Sequence, residues 1–243
     1  MARLAQHAGY FLGSYVNDAN DALAFRSFHD QWINRFLSGQ GRSATGRISL
    51  PQEEAAQMRE DFHRAVEQHI SKSAADKEML WGWKAPRSIY LLPFLQAQYP
   101  GLKFIHLLRD GRDMAFSKNQ NQLRKHGAQV LRARERWFNA EPVRSILLWA
   151  RVNLAAAQFG ETQLRETYLA VRFEDLCAKP VETTARITRF LGVDLDVESV
   201  ARAEIAPPPS MGRWRRQPST VVSKLEQAAR AALQKFGYLE TSN

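Results

Sequence analysis

An α/β fold built on a largely parallel sheet is what this 243-residue sequence predicts, on three observations. Short apolar stretches suited to strands, Met79–Lys84, Lys103–Leu108 and Tyr168–Phe173, alternate with longer stretches of helical periodicity. A hydrophobic content of 44% can build a core, and a charged content of 24% is ordinary for a soluble chain. No internal repeat interrupts the pattern, so residues 1–243 read as one domain.

Taken in order, Ala2–Ala8 has the look of a helix tail closed by Gly9. Asp18 or Asn20 can cap a helix from Asp21 to about Leu37, where Leu23, Phe25, Phe28, Trp32, Ile33, Phe36 and Leu37 recur at helical spacing. Ser38–Thr45 is rich in Gly and Ser and reads as a loop. A helix follows Leu50-Pro51 and runs to about Ile70, with the proline in its first turn. The strand Met79–Lys84 ends at Ala85-Pro86, and Ser88 can cap a helix to Tyr99, closed by Pro100-Gly101. Lys103–Leu108 feeds a helix from Asp110 onward that carries Ser117. Gly127–Asn139 is helical or irregular, Pro142–Arg165 a long helix and Tyr168–Phe173 a strand. Pro180–Leu191 is a helix stopped by Gly192, and Ala206–Ser210, with three prolines, is a stiff extended linker. Ser219 can cap a final helix through Phe236, closed by Gly237.

The net charge of +9, mostly arginine, admits three kinds of partner: nucleic acid, a membrane surface, or an anionic small molecule. The densest cluster is Arg213-Trp214-Arg215-Arg216. Arginine favours phosphate or sulfate, because its planar fork binds oxyanions in bidentate fashion. No apolar run is long enough to span a bilayer. Gln6, His7 and Gly9 break any signal-peptide core in Met1–Val16. The single cysteine, Cys177, excludes an internal disulfide and suits a reducing cytoplasm. Paired Cys/His spacings for a metal are missing, as is a Gly-Lys-Ser/Thr phosphate loop.

The richest segment is Lys103–Ser117. A strand runs directly into a helix, and the junction carries Arg109, Gly111 and Arg112. In parallel α/β folds ligands sit at the carboxyl ends of the strands, where Arg109 falls. Helix-start amides, Arg109 and the Ser117 hydroxyl can together take a phosphate. The same spacing also suits a surface helix in which Asp110 and Asp113 pair with Arg112 or cap the helix. His106, in mid-strand, reads as a packed core histidine.

Phe104–Ser117 resembles the 3′-phosphate segment of the sulfotransferase family, an apolar strand followed by R-D-G-R-D-x-x-x-S. Trp81-Gly82-Trp83-Lys84-Ala85-Pro86-Arg87 resembles the family's W-G-x-K-x-P-R. Val171–Leu176 resembles its Y-E-D-L turn, followed by a helix ending in Phe190-Leu191-Gly192. Met211–Arg216 resembles its G-R-W-R segment before a helix ending in Gly237-Tyr238. The match spans about Trp81 to Tyr238 and is nearest to bacterial members. It implies a three-layer, P-loop-like fold and 3′-phosphoadenosine 5′-phosphosulfate (PAPS) as donor, with no metal. The acceptor would be a small molecule, a saccharide or a peptide, and nucleic acid would not be a partner. By that likeness Arg109 and Ser117 hold the 3′-phosphate, Phe173 lies against the adenine, and Gly212 and Arg213 close over the nucleotide. Lys84 is then the catalytic cation beside the transferring group. The position of the cytosolic members' base histidine is Pro86 here, so no base carries over.

The family's 5′-phosphosulfate turn, P-x-S-G-T or similar, has no counterpart; Gly39–Gly46 has no strand leading into it. That turn and the first strand are expected just upstream of Met1, with the chain truncated there. Two alternatives stay open: a non-catalytic relative that binds nucleotide without transfer, and a basic nucleic-acid-binding protein, which predicts steeply salt-dependent binding.

Overall fold

The computed structural model describes residues 1–39, 50–71 and 80–240. Its elements open with helices α1 (Ala2–His7), α2 (Arg26–Gly39), α3 (Gln52–Ile70) and α4 (Leu92–Gln98). Strand β1 (Phe104–Leu108) leads to α5 (Gly111–Ala115), α6 (Asn121–Val130), α7 (Ala133–Phe138) and α8 (Glu141–Phe159). Strand β2 (Tyr168–Arg172) leads to α9 (Phe173–Ala178), α10 (Pro180–Leu191), α11 (Val197–Glu204) and α12 (Ser219–Lys235). The mixed helix–strand class with a parallel sheet is therefore as expected, although helix predominates. By contacts the chain divides into Met1–Gln98 with Thr184–Glu204, and Tyr99–Thr183 with Ile205–Asn243.

In the first unit, Phe25, Phe28, Trp32, Ile33 and Phe36 are buried, as their spacing predicts. Phe25 and Phe28 meet Phe62 of α3, which is buried, as is Met58, and Phe25 stacks on Trp83 at 4.9 Å. The helix starts later than Asp21, because Asn17 takes the turn-forming role in place of Asp18 or Asn20. Its Oδ1 accepts from the Ala19 and Asp21 amides at 3.0 and 2.8 Å, and Asn20 takes φ 59°. A 3₁₀ turn, Leu23–Phe25, then precedes α2.

Met79 lies outside the described residues, as do residues 40–45 of the expected Gly/Ser loop Ser38–Thr45. Of the rest of the expected strand Met79–Lys84, only Trp81 pairs, in a single parallel bridge to Phe11. The partner stretch is too short for a ladder, since Gly9 (φ 82°) and Gly13 (φ 88°) turn the chain on either side of Phe11. The Gly82 carbonyl instead lies 2.8 Å from His69 Nε2. Ser88 is buried inside a 3₁₀ turn, Pro86–Leu91, rather than capping a helix; its hydroxyl accepts from Trp83 Nε1 at 2.9 Å.

In the second unit, β1 and β2 pair in parallel, from Phe104 opposite Tyr168 to Leu108 opposite Arg172. Beneath them Leu108, Ala115, Ile146, Trp149, Leu225 and Leu233 form a core shared by β1, α5, α8 and α12. His106 is 2% exposed, as expected of a core histidine. Its Nδ1 lies 2.8 Å from the Tyr168 hydroxyl and its Nε2 2.8 Å from Asn153 Oδ1. Burial pulls its pKa below the ordinary value. The long helix ends at Phe159 in a π turn, because Gly160 is pressed on the Tyr168 ring. At the last helix Pro218, not Ser219, holds the cap position.

Candidate functional site

The parallel register builds the site. Leu108 and Arg172 are the last paired residues of β1 and β2, so Arg109 and Phe173 leave the sheet side by side at its carboxyl edge. There the Arg109 guanidinium carbon lies 5.4 Å from the centre of the Phe173 ring. One residue further on, the Asp110 amide donates to Glu174 Oε1 at 2.9 Å, tying the two strand exits together.

The helix start is already capped. The Asp110 carboxylate accepts from the Arg112 amide at 2.9 Å. Arg112 itself is a buried structural cation. It donates to Asp110 Oδ2 at 2.8 Å, to Glu226 Oε1 and to the Tyr238 carbonyl, and it lies 3.7 Å over the Trp214 ring. Tyr238 donates its hydroxyl to Glu174 Oε2 at 2.8 Å. Burial, with the Glu174 charge, pushes the Tyr238 pKa far up, so it stays a donor.

Asp113 draws the C-terminal loop onto this edge. It is 1% exposed, and its Oδ2 accepts from Arg109 Nη2 at 3.3 Å and from the Gly212 amide at 2.8 Å. Its Oδ1 accepts from the Trp214 amide at 3.3 Å. Gly212 sits at φ 75°, a conformation that glycine adopts without a Cβ penalty. Arg109 Nη2 also donates to Ser210 Oγ at 3.0 Å, while its Nε is buried without a hydrogen-bond partner. Arg213 donates through Nε to the Ser210 carbonyl at 3.0 Å and through Nη1 to the Phe116 carbonyl at 3.2 Å.

Arg109, Phe173, Gly212 and Arg213 are thus brought into one neighbourhood. Ser117 is joined to it through the Phe116–Ser117 peptide that Arg213 holds. Contrary to expectation it is not on the helix: α5 ends at Ala115, and the Ser117 hydroxyl accepts from the Asn119 amide at 3.2 Å. A charged cleft of about 210 Å³ lies alongside, lined by Arg112, Arg172, Glu174, Gly212, Arg215 and Tyr238. Arg109, Ser117, Phe173 and Arg213 do not line it. Burial raises the Cys177 pKa, helped by Glu174, which keeps that side chain a thiol.

Lys84 belongs to the first unit. Its ammonium donates to the Ala19 carbonyl at 3.0 Å and pairs with the Asp21 carboxylate, so the Asn17–Asp21 turn fixes its position. Among the described residues, no group of three His, Cys, Asp or Glu side chains is placed to hold a metal ion. Nor is any described helix long and apolar enough to cross a membrane.

Asp113, Glu174 and Ser210 were not anticipated as site residues. The i, i+4 spacing of Arg109 and Asp113 was the available signal for the first. The other two depend on contacts 64 and 101 residues apart, which local pattern does not encode. In comparisons with known proteins, the pattern described as the sulfotransferase family matches residues 17–197. No curated protein and no solved structure matches the chain.

Proposed function

The chain belongs to the sulfotransferase family, and from that membership we propose that it moves a sulfuryl group from PAPS to an acceptor hydroxyl or amine. The observation that carries the nucleotide half of this reading is Arg109. It stands at the carboxyl edge of the sheet with a buried, unpartnered Nε and a neighbouring aromatic ring. An orphaned guanidinium donor next to a π face suits a phosphorylated ribose joined to a purine.

In this reading Arg109 and Ser117 hold the 3′-phosphate, Phe173 stacks on the adenine, and Gly212 and Arg213 close the C-terminal loop over it. Phe173 lacks a phenolic hydroxyl, which stacking does not need. The donor supplies an activated sulfuryl group. Lys84 neutralises the negative charge that develops on the oxygens around it, a fixed electrostatic contribution. Asp21 keeps that ammonium oriented in the absence of ligand. Most of the acceleration then comes from positioning and electrostatics, by analogy with phosphoryl transfer. We also take the parallel pair as part of a three-layer, P-loop-like sheet within a single domain, and the lone cysteine as fitting a cytoplasmic protein. The acceptor is a small molecule, a saccharide or a peptide.

Thermal denaturation with adenosine 3′,5′-bisphosphate, and with 5′-AMP as control, tests the reading. The bisphosphate raises the melting midpoint and 5′-AMP raises it far less. Arg109→Ala weakens the bisphosphate effect at least tenfold in concentration, consistent with losing one or two charge-assisted hydrogen bonds of about 1.5–3 kcal/mol each. Equal effects of the two nucleotides, or an unchanged response in Arg109→Ala, overturn it. Lys84→Met is expected to lower turnover about 10²–10³-fold while leaving bisphosphate binding intact, read by single-turnover transfer.

A further inference from the structure

Trp137 and Phe138 are 80% and 81% exposed, the most exposed large hydrophobic side chains among the described residues. They end α7, a six-residue helix in which no residue is buried. Two adjacent exposed aromatic rings on a helix with no buried residue form the kind of patch that marks an interaction surface.

The charge around it says which. Residues 119–140 carry five basic side chains, Arg124, Lys125, Arg132, Arg134 and Arg136, against one acid, Glu135. That acid is engaged: its Oε2 accepts from the Arg132 amide at 2.8 Å and its Oε1 from Arg151 Nη2. Arg132 and Arg134 are exposed, and Arg136 Nε is buried with no hydrogen-bond partner. The surface is therefore aromatic at its tip and cationic at its flanks.

We propose that the α6–α7 surface docks on an anionic membrane, with Trp137 and Phe138 seated at the headgroup level and Arg132, Arg134 and Arg136 meeting lipid phosphates. Aromatic rings favour that depth, and basic side chains beside them are held by the negative surface potential. Neighbouring residues on a helix point about 100° apart, so the two rings make a wedge and not a flat stacking platform. A wedge suits insertion among headgroups better than stacking on a sugar or a base. Attachment is peripheral and reversible, since no described helix can span the bilayer. This inference does not rest on the proposed nucleotide binding or sulfuryl transfer.

Sedimentation with vesicles tests it, comparing phosphatidylcholine alone with phosphatidylcholine containing phosphatidylglycerol. The chain is expected to bind the anionic vesicles only, and salt to weaken the binding. Trp137→Ala/Phe138→Ala is expected to reduce partitioning at least tenfold with an unchanged melting midpoint, since both side chains are exposed. Brominated acyl chains are expected to quench fluorescence in the parent protein and much less in Trp137→Phe. Failure to bind anionic vesicles, or undiminished binding by the double variant, overturns the proposal. So does binding that depends on both aromatics but is seen only with a soluble polyanion such as RNA or heparin.

Discussion

Asp113 is the residue on which the carboxyl edge of the sheet depends. One buried carboxylate takes Arg109, the Gly212 amide and the Trp214 amide, so a single charge orders a side chain and a loop about 100 residues away. Removing the charge while keeping the shape leaves those donors with a weaker acceptor. Asp113→Asn is expected to cost about 1–3 kcal/mol of stability, read as a lower urea midpoint at unchanged slope. Full stability in that variant would show that the loop is held by other contacts. At this scale the sequence was informative wherever a residue acts through its own motif. Arg109 and Phe173 could each be picked out separately, but their meeting rests on the register of two strands 64 positions apart, which no local pattern specifies. Ser117 was placed on a helix because the motif runs on without a break. The helix stops two residues earlier, at Ala115.

The elements that set the site are β1, β2, α5 and α8. Gly111 lets α5 press on α8: a Cβ there would lie 2.4 Å from Cε3 of Trp149. Gly111→Ala is expected to destabilise the protein by about 1–3 kcal/mol through overpacking. The same change relieved by Trp149→Leu in a double-mutant cycle would locate the strain at this contact, and no coupling between the two would deny it. Elements with strong local signals were legible: α3 behind its proline, α10 between Pro180 and Gly192, and both strands of the sheet. The stretch before Lys84 was not, because strand formation needs a partner and Phe11 offers only one paired residue between two turning glycines. Ser88 misled for a related reason, since its hydroxyl serves Trp83 and not a helix amide.

At the scale of the molecule, two of the buried histidines contribute to the response to acid. His69 and His106 each have a pKa below the ordinary 6.5, chiefly through burial. The unfolded chain therefore binds more protons than the folded one as pH falls through 6.5, and stability drops from there toward the depressed folded values. Above 6.5 both states are neutral at these rings and the effect vanishes. Melting curves from pH 7.5 to 5 are expected to show this decline, with a shallower slope in His106→Asn; a flat profile across that window would contradict it. The family and the mixed helix–strand class followed from motif order and strand–helix alternation. Pairing of the motifs across the chain did not, because it is decided by packing of α8 and α12 under a two-stranded sheet.

In the proposed function the sheet edge at Arg109 receives the 3′-phosphate of a sulfated nucleotide. A crystal structure of the protein with adenosine 3′,5′-bisphosphate tests it most directly. The expected result is the 3′-phosphate within hydrogen-bonding distance of the Arg109 guanidinium and the Ser117 hydroxyl, with the adenine against Phe173. A bisphosphate bound elsewhere, with Arg109 still turned to Asp113 and Ser210 alone, would contradict it.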